Sequence, residues 1–318
     1  MVAPSAKLLP ATELAGSKLL PKLMSVWRRS EGLRGIALLS PTLMVMVSLL
    51  AVPLGALLVV SFWTQNEFTF DRTFTLANYA AIFDYANNPI YLMLLRRSLL
   101  MSASATAAVI LLAYPIAYFL VFRVRQHRVV WMILITVPFW TSYLLRIFAW
   151  KIILGFNGVI NSGLIALGVI RHPLEVLLYN PTAVTITLAH AWAAYAILPI
   201  YVSLEKIDSS LLEAATDLGD GPVKRFMRVT LPLSAPGTLA ATLLVFIPTV
   251  GDYVTPALVG GSSGMMLGNV IEQLFDNSDN APLGAAVSVV MMLVVTLVVC
   301  ALLWGTGYRN KKLRLDKA

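Results

Sequence analysis

Few side chains in this sequence could carry chemistry, and one of them is an acid at the end of an apolar run. Asp252 is followed by Tyr253, and a carboxylate beside an aromatic ring can bind an ammonium group by charge pairing and a cation–π contact. Pro248 and Pro256 can break a helix nearby. Asp252 and Tyr253 would also suit a helix end at an interface with water, and the sequence leaves both interpretations open.

A second polar group follows a proline in another apolar run. The ring of Trp140 and the hydroxyls of Thr141 and Ser142 could line the same cavity as Asp252, although such hydroxyls also pack between helices. Arg146 could repel or position a cation, pair with Asp252, or extend its charged end to water. These residues, with Asp252 and Tyr253, are the predicted solute-contacting group.

Other kinds of site lack the residues that they need. The three histidines are scattered, Cys300 is the single cysteine, and no Gly-Lys pair occurs, so the sequence has no metal cluster, disulfide or phosphate-binding loop. An enzyme inside a membrane would need paired acids, a Ser/His arrangement or a metal triad. We therefore expect no catalytic residues and no cofactor in this chain.

The composition places these residues in a membrane protein. Of the 318 residues, 58% are apolar and 13% are charged, and the mean hydropathy is +0.78. Typical soluble domains have roughly 45–50% apolar residues and about 25% charged residues. A soluble fold of this size cannot bury so much apolar surface. This excludes a cytosolic enzyme, a disordered chain and a nucleic-acid binder, despite the net charge of +8.

Six apolar runs are long enough to cross about 30 Å of hydrocarbon as helices. The sequence therefore predicts an all-α integral membrane protein with six transmembrane helices. The predicted runs are Ile36–Trp63, Ser98–Phe122, Val129–Leu145 with an extension through Ile147–Trp150, Val176–Leu204, Val229–Gly251 and Asn280–Tyr308.

Two further apolar runs contain turn signals. Ile152–Ile170 includes Asn157-Gly158 and Asn161-Ser162-Gly163, and Tyr253–Ile271 includes four glycines and Pro256. We expect both runs to be loops or short re-entrant pieces that face a polar surface.

The basic residues predict the orientation. Most of the 24 Lys and Arg residues fall in the two tails and in the loops after the second and fourth runs, which places both termini in the cytoplasm. The predicted organisation is a cytoplasmic tail at 1–35, a six-helix domain at 36–308 and a cytoplasmic tail at 309–318. Within the first tail, we expect a helix near Leu20–Arg34 at the membrane surface.

The loop at about 205–232 differs from the other, shorter loops. Ser210–Glu213 has the Ser-x-x-Glu pattern of a capping box, and Gly219 suits the position after a helix end. Pro222 suits the first position of a second short helix, which we expect to end near Val229. The sequence thus predicts two short helices joined by a glycine-rich bend. Their predicted apolar stripe is Leu211, Leu212, Ala214, Ala215 and Leu218.

The same loop carries a resemblance to a known family. Glu213-Ala214-Ala215, followed by Gly219 and then Leu231-Pro232, resembles the E-A-A-x-x-x-G…L-P loop of permease subunits of bacterial ABC importers. The resemblance implies a coupling helix pair that docks on an ATP-hydrolysing subunit. Glu213 would either cap its helix or pair with a cation of this chain or of the ATPase. The residues implied in coupling are Glu213, Ala214, Ala215, Asp217, Leu218, Gly219 and Arg225.

Other stretches over roughly 36–305 are similar to the spermidine/putrescine-type permeases. They are Tyr114–Tyr118, Pro138–Ser142 with Arg146 and Ala149-Trp150, Asn157-Gly158, Leu198-Pro199, Val245–Pro248 and Gly251–Pro256. Asp220 and Gly221 depart from the usual residues of the family.

The resemblance implies a type I ABC importer permease fold in the bacterial inner membrane and a small cationic solute such as a polyamine. It implies a second homologous permease, two ATPase subunits that hold ATP and Mg, a periplasmic binding protein and membrane lipid as partners. The alternatives are a permease for another small polar solute, such as an amino-acid or opine-like compound or an anion, and a stand-alone secondary transporter.

Overall fold

The computed structural model of the chain describes residues 31–66, 69–124, 126–276 and 280–315. Within these ranges, six stretches are long and apolar enough to cross a membrane, which confirms the predicted number. They are Leu38–Val60, Ile90–Phe122, Tyr143–Ala166, Pro181–Glu205, Pro222–Val250 and Ala281–Gly305. Most of the tail predicted at 1–35, and most of the helix predicted near Leu20–Arg34, lie outside the described residues.

Within the described ranges, the elements are helices apart from one short antiparallel hairpin. In chain order they are α1 (Glu31–Val60), β1 (Thr64–Asn66), β2 (Thr69–Asp71), α2 (Ala77–Phe83), α3 (Ile90–Phe122), α4 (Arg128–Thr136), α5 (Tyr143–Leu154), α6 (Val159–Ala166), α7 (Pro181–Glu205), α8 (Ser209–Asp217), α9 (Pro222–Arg225), α10 (Leu231–Val250), α11 (Leu267–Asp276) and α12 (Ala281–Leu315).

The chain divides into two units, one up to Leu57 and one from Leu58 onward. The first unit contains most of α1, a 30-residue helix with Pro41 and Pro53 inside it. The second unit contains the hairpin and all the other helices, including every residue of the predicted sites.

The centre of the second unit is the packing of α3, α7 and α10. Ala117, Ala196 and Ala241 are completely buried where these helices meet. Small side chains let membrane helices approach closely, and this close packing replaces the hydrophobic driving force that lipid does not supply. The closest approach is at Gly237 of α10, where an added Cβ would lie 2.2 Å from the Cβ of Ser203 on α7.

The prediction of one continuous third helix from Val129 to Trp150 is wrong, because two helices with a break between them cover this range. After α4, a 3₁₀ turn at Val137–Trp140 contains Pro138, and the next two residues have extended backbones with ψ of 154° and 137°. The break follows from Pro138, which has no N–H to donate to the preceding turn. The long apolar stretch starts only at Tyr143 and is interrupted by a turn at Gly155–Gly158.

The two runs predicted as loops or short re-entrant pieces contain both turns and short helices. The turn at Asn157-Gly158 is confirmed, but Asn161-Ser162-Gly163 lies inside α6. The side chain of Asn161 is completely buried, donates to the carbonyl oxygen of Phe156 at 3.1 Å and accepts from the N–H of Leu174 at 2.8 Å. Tertiary hydrogen bonds therefore outweigh the turn preference of this asparagine.

The second run, Tyr253–Ile271, is largely buried, although Ser262 and Ser263 are exposed in a turn at 261–264. It forms a π-helical turn at Pro256–Gly260 and the start of α11, and Val259 and Met266 are completely buried. The N–H of Leu267 donates to Ser98 Oγ of α3 at 2.8 Å. Gly260 permits close packing against Val184 of α7, whereas Gly261, with a φ of +58°, starts the turn at 261–264.

We expect Gly237→Ala to lower stability by about 1–3 kcal/mol, because α7 and α10 must separate to admit the methyl group. Thermal unfolding of the purified protein in detergent measures this. The matched control is Gly163→Ala in α6, where nothing lies within 4 Å of the added Cβ. Equal unfolding temperatures for the two variants would contradict the close approach.

Candidate functional site

The loop between α7 and α10 has a helix cap that the sequence did not predict. The N-cap of α8 is Asp208, whose carboxylate accepts from the N–H of Ser210 at 3.0 Å, and this hydrogen bond lowers the pKa of Asp208. The predicted capping box at Ser210 and Glu213 is therefore wrong. Glu213 lies in the second turn of α8, too far along to reach the cap. Its side chain is exposed and forms no ion pair with any described residue.

The end of α8 confirms the predicted role of Gly219. Its φ is +84°, in the left-handed region that favours glycine. The N–H of Gly219 donates to the carbonyl of Thr216 at 2.9 Å, and that of Asp220 donates to the carbonyl of Ala215 at 3.0 Å. This pair of bonds is a Schellman motif, which ends α8 sharply and turns the chain toward α9.

The second short helix starts as predicted but does not end as predicted. Pro222 occupies the first position of α9, after Gly221 as the N-cap. The helix then continues through a π-helical turn at Phe226–Thr230 into α10, so the end predicted near Val229 is wrong. In the π turn, the N–H of Leu231 donates to the carbonyl of Phe226. This wider turn carries the helix past Pro232, which has no N–H to donate.

Polar contacts hold α8 and α9 together. The carboxylate of Asp220 accepts from Lys224 Nζ at 3.0 Å and from Arg228 Nη1 at 3.3 Å. The hydrogen bond from Lys224 is the main cause that lowers the pKa of Asp220. Arg225 Nη1 donates to Thr216 Oγ1 at 2.8 Å. Asp220, which departs from the family pattern, is thus an internal anchor of the loop.

The loop exposes apolar side chains although it is internally well connected. Leu218 is 86% exposed and Val223 is 74% exposed, and Leu211 and Met227 are also exposed. Of the predicted apolar stripe, only Ala215 is buried. Exposed apolar groups on a rigid, polar loop are typical of a surface that binds another protein.

An aromatic contact joins the loop to the helix bundle. The ring of Phe226, in the π turn, packs edge-on against Tyr114 at 5.7 Å and Tyr118 at 6.0 Å between ring centroids, both on α3. The hydroxyl of Tyr114 lies 2.6 Å from Ser234 Oγ on α10 in a buried hydrogen bond. A displacement of the loop would therefore act directly on α3 and α10.

The second group of predicted residues centres on Asp252, which follows α10 and is only 9% exposed. One carboxylate oxygen accepts from the N–H groups of Val254 and Thr255 at 2.9 and 3.4 Å. The other accepts from Thr255 Oγ1 at 2.5 Å and from the hydroxyl of Tyr143 on α5. The Asp252 carboxylate thus accepts the first N–H groups of the next helical segment and links that segment to Tyr143 of α5. Whether Asp252 also contacts a solute stays a prediction.

The structure does not pair Arg146 with Asp252. The guanidinium of Arg146 lies over the rings of Phe139 and Tyr143, at 5.2 and 5.8 Å from their centroids. Its Nη1 donates to the carbonyl of Ala191 on α7 at 2.8 Å. Arg146 therefore points into the bundle, and Tyr143 contacts Arg146 with its ring and Asp252 with its hydroxyl.

The remaining predicted residues lie at the break before α5 and at a separate cavity. Trp140 is 87% exposed, Thr141 and Ser142 are exposed, and Thr141 Oγ1 donates to the carbonyl of Pro138 at 2.7 Å. Tyr253 borders a cavity of about 390 Å³ that the sequence did not predict. In the sequence, the cavity was indicated by the acidic segment that contains Glu272 and Asp276, which form part of the cavity lining. The cavity is lined by Gly251, Tyr253, Gly268, Ile271, Glu272, Asp276, Ser288 and Met291.

Comparisons with known proteins agree over most of the chain. The family model described as "Binding-protein-dependent transport system inner membrane component" matches residues 116–305. The chain is 38% identical over 257 residues to the spermidine/putrescine transport system permease protein PotB of Escherichia coli K12, covering 80% of this chain and 92% of that protein. It is 36% identical over 266 residues to PotB of Haemophilus influenzae, covering 83% and 91%.

A solved structure shares the fold. A chain of a bacterial ABC transporter involved in the import of the acidic polysaccharide alginate superposes with a TM-score of 0.68 at 15% identity, over 92% of this chain and 99% of that one. At this identity, the likeness concerns the fold alone.

We expect Tyr143→Phe to lower stability by about 1–3 kcal/mol, because the buried Asp252 carboxylate loses a hydroxyl donor. Thermal unfolding in detergent measures the loss. Tyr253→Phe is the matched control, since its side chain is 46% exposed. If Tyr143→Phe unfolds at the same temperature as the control, the hydrogen bond contributes nothing.

Proposed function

The chain belongs to the family of inner membrane components of binding-protein-dependent transport systems, and from this we propose that it forms half of the translocation pathway for a small cationic solute. As a member of this family it is a multi-pass permease subunit with the ABC importer permease fold, a transport component that is not an enzyme. Four parts of the proposal go beyond membership of the family: the solute, the stoichiometry of the complex, the orientation of this chain in the membrane, and the residues that take part in coupling and transport.

A polyamine is the solute class that we propose. Two of the relatives carry spermidine and putrescine in their names, and they are similar over about four fifths of this chain. The cavity beside Tyr253 supports this choice, because Glu272 and Asp276 offer carboxylates and Tyr253 offers a ring. Ammonium groups bind to both kinds of group.

The proposed assembly contains a second, homologous permease, two ATPase subunits that hold ATP and Mg, and a periplasmic binding protein. Both termini of this chain would lie in the cytoplasm, together with the loop between α7 and α10. The positive charges of Lys224, Arg225 and Arg228 on this loop support that orientation.

The single observation that carries the coupling proposal is the rigid loop with exposed apolar groups. Leu218 and Val223 are available to a partner, while Phe226 ties the loop to α3. We propose that the ATPase binds this loop and that its movement during ATP hydrolysis rotates the attached helices, which opens the pathway alternately to each side. The proposed coupling residues are Glu213, Ala214, Ala215, Asp217, Leu218, Gly219 and Arg225. Glu213 is exposed and can pair with a cation of the ATPase.

The proposed pathway runs along the breaks before α5 and after α10. Asp252 and Tyr253 would present charge and a ring to the solute, and Trp140, Thr141 and Ser142 would border the path. Arg146 would position or repel cations. The exposure of Trp140 and Tyr253 supports their roles.

We expect Glu213→Lys and Gly219→Pro each to abolish copurification with the ATPase. The first substitution reverses the charge of the exposed Glu213 side chain. The second places a proline at position 219, and proline cannot adopt the φ of +84° that Gly219 has. Pull-down of the tagged ATPase from membranes measures this. Glu175→Lys is the control, a charge reversal at an exposed residue outside the loop. Wild-type copurification of both loop variants would exclude the loop as the docking site.

We expect Asp252→Asn and Glu272→Gln to reduce spermidine uptake at least about tenfold at low concentration, because each removes a negative charge from the path of a cation. Uptake of radiolabelled spermidine into proteoliposomes that contain the whole complex measures this. Glu175→Gln is the control for charge alone. Unchanged uptake in both variants, with the complex assembled, would remove these acids from the pathway.

A further inference from the structure

The guanidinium of Arg146 lies over two rings of a cluster of aromatic side chains that come from three segments of the chain. We name this group the aromatic recess: Phe139, Tyr143, Trp150, His190, Trp192 and Tyr195. Adjacent rings lie close, with Tyr143 at 6.2 Å from Trp192 and Trp192 at 5.2 Å from Tyr195 between centroids. His190 and Tyr195 are exposed, so part of the aromatic recess lies at the surface of the chain.

The recess lies near the middle of a spanning helix. Arg146 binds the carbonyl of Ala191, which is ten residues into the 25-residue helix α7. At 1.5 Å per residue, this carbonyl is about 15 Å from the Pro181 end and about 21 Å from the Glu205 end. A positive charge at this depth is costly unless it faces a partner or a water-filled cavity.

No counter-ion compensates this charge among the described residues. No described carboxylate lies within 4 Å of the Arg146 nitrogens. Asp252 is engaged by Tyr143, Thr255 and backbone N–H groups. The Nε of Arg146 is buried without a hydrogen-bond partner. Neutral groups therefore hold the guanidinium: two ring faces and one carbonyl oxygen.

We propose that the aromatic recess is a cation-binding site and that Arg146 occupies it when no solute is present. Ring faces and a carbonyl oxygen that hold a guanidinium offer the same interactions to an alkylammonium group. Exchange of one cation for another leaves the charge of the recess unchanged, so a passing cation needs no additional carboxylate. The long side chain of Arg146 can move aside, and its return closes the site behind the solute. The proposal rests on the proposed function for the identity of the solute.

The test uses the assembled complex in nanodiscs with methylguanidinium as the probe and tryptophan fluorescence as the readout, because Trp150 and Trp192 line the recess. Arg146→Ala empties the recess. We expect this variant to bind methylguanidinium at least about tenfold more tightly than the wild type, with no comparable gain for the neutral isostere methylurea. Spermidine should displace the bound probe.

Two variants serve as controls. Lys151→Ala removes a positive charge from the same helix and should bind the probe as the wild type does. Arg146→Ala combined with Phe139→Leu removes one ring face and should lose most of the gain. If Arg146→Ala assembles poorly, methylguanidinium added during purification should restore the yield and methylurea should not.

The proposal is overturned if Arg146→Ala binds the probe no better than the wild type, if methylurea binds equally well, or if spermidine fails to displace the probe. Failure to restore the yield of a poorly assembled variant also overturns it. Probe binding does not depend on which solute the complex imports. A wild-type complex that takes up no spermidine, combined with probe binding by Arg146→Ala, would therefore disprove the proposed solute and leave the cation site intact.

Discussion

Lipid hydrocarbon offers no hydrogen bonds, so a spanning helix can break only where other parts of the protein satisfy the polar groups that the break exposes. In this chain, helices end within apolar sequence at two places, immediately before the spanning stretch that starts with α5, at Thr141–Ser142, and immediately after the one that ends with α10, at Gly251–Asp252. The two breaks meet through Tyr143, whose hydroxyl donates to the Asp252 carboxylate. Asp252 in turn receives the backbone N–H groups that start the next segment. Asp252, which is proposed for the pathway, thus also accepts the backbone N–H groups that the second break exposes.

The loop between α7 and α10 lies under a different constraint. Outside the lipid, its backbone can be solvated, and rigidity has to come from specific contacts. The Schellman bonds at Gly219, the ion pairs of Asp220 and the Arg225–Thr216 bond provide it. Phe226 then anchors the loop against α3, so a binding partner that moves the loop also moves the helices. The apolar residues of the loop are left free for contact with a partner because polar contacts already hold the loop together.

Prediction from the sequence succeeded where the signal is local. The number of spanning stretches was predicted correctly because length and hydropathy decide which segments can cross a membrane, although the third stretch lies at Tyr143–Ala166 and not at the predicted Val129–Trp150. Gly219 and Pro222 were placed correctly because their backbone preferences act within one turn. The predictions failed where a nearby residue could take the same role or where a helix could end at another position. Asp208 outcompeted Ser210 as the cap of α8, and Pro138 ended the third predicted helix where hydropathy alone would continue it.

By itself, the sequence determined that this is a membrane protein of six spanning stretches, with a short helix that ends at Gly219 in the loop between the fourth and fifth, and with Asp252 and Arg146 as charges in apolar sequence. These properties follow from composition, periodicity and the residues' own backbone preferences. Only the tertiary structure decided what the charges contact: Asp252 binds Tyr143 and Thr255, whereas Arg146 lies on aromatic rings and binds the Ala191 carbonyl. The reason is that a polar group in a membrane takes the partner that packing brings near, and residues that are 45 or 109 positions apart in sequence leave no local signal of that pairing.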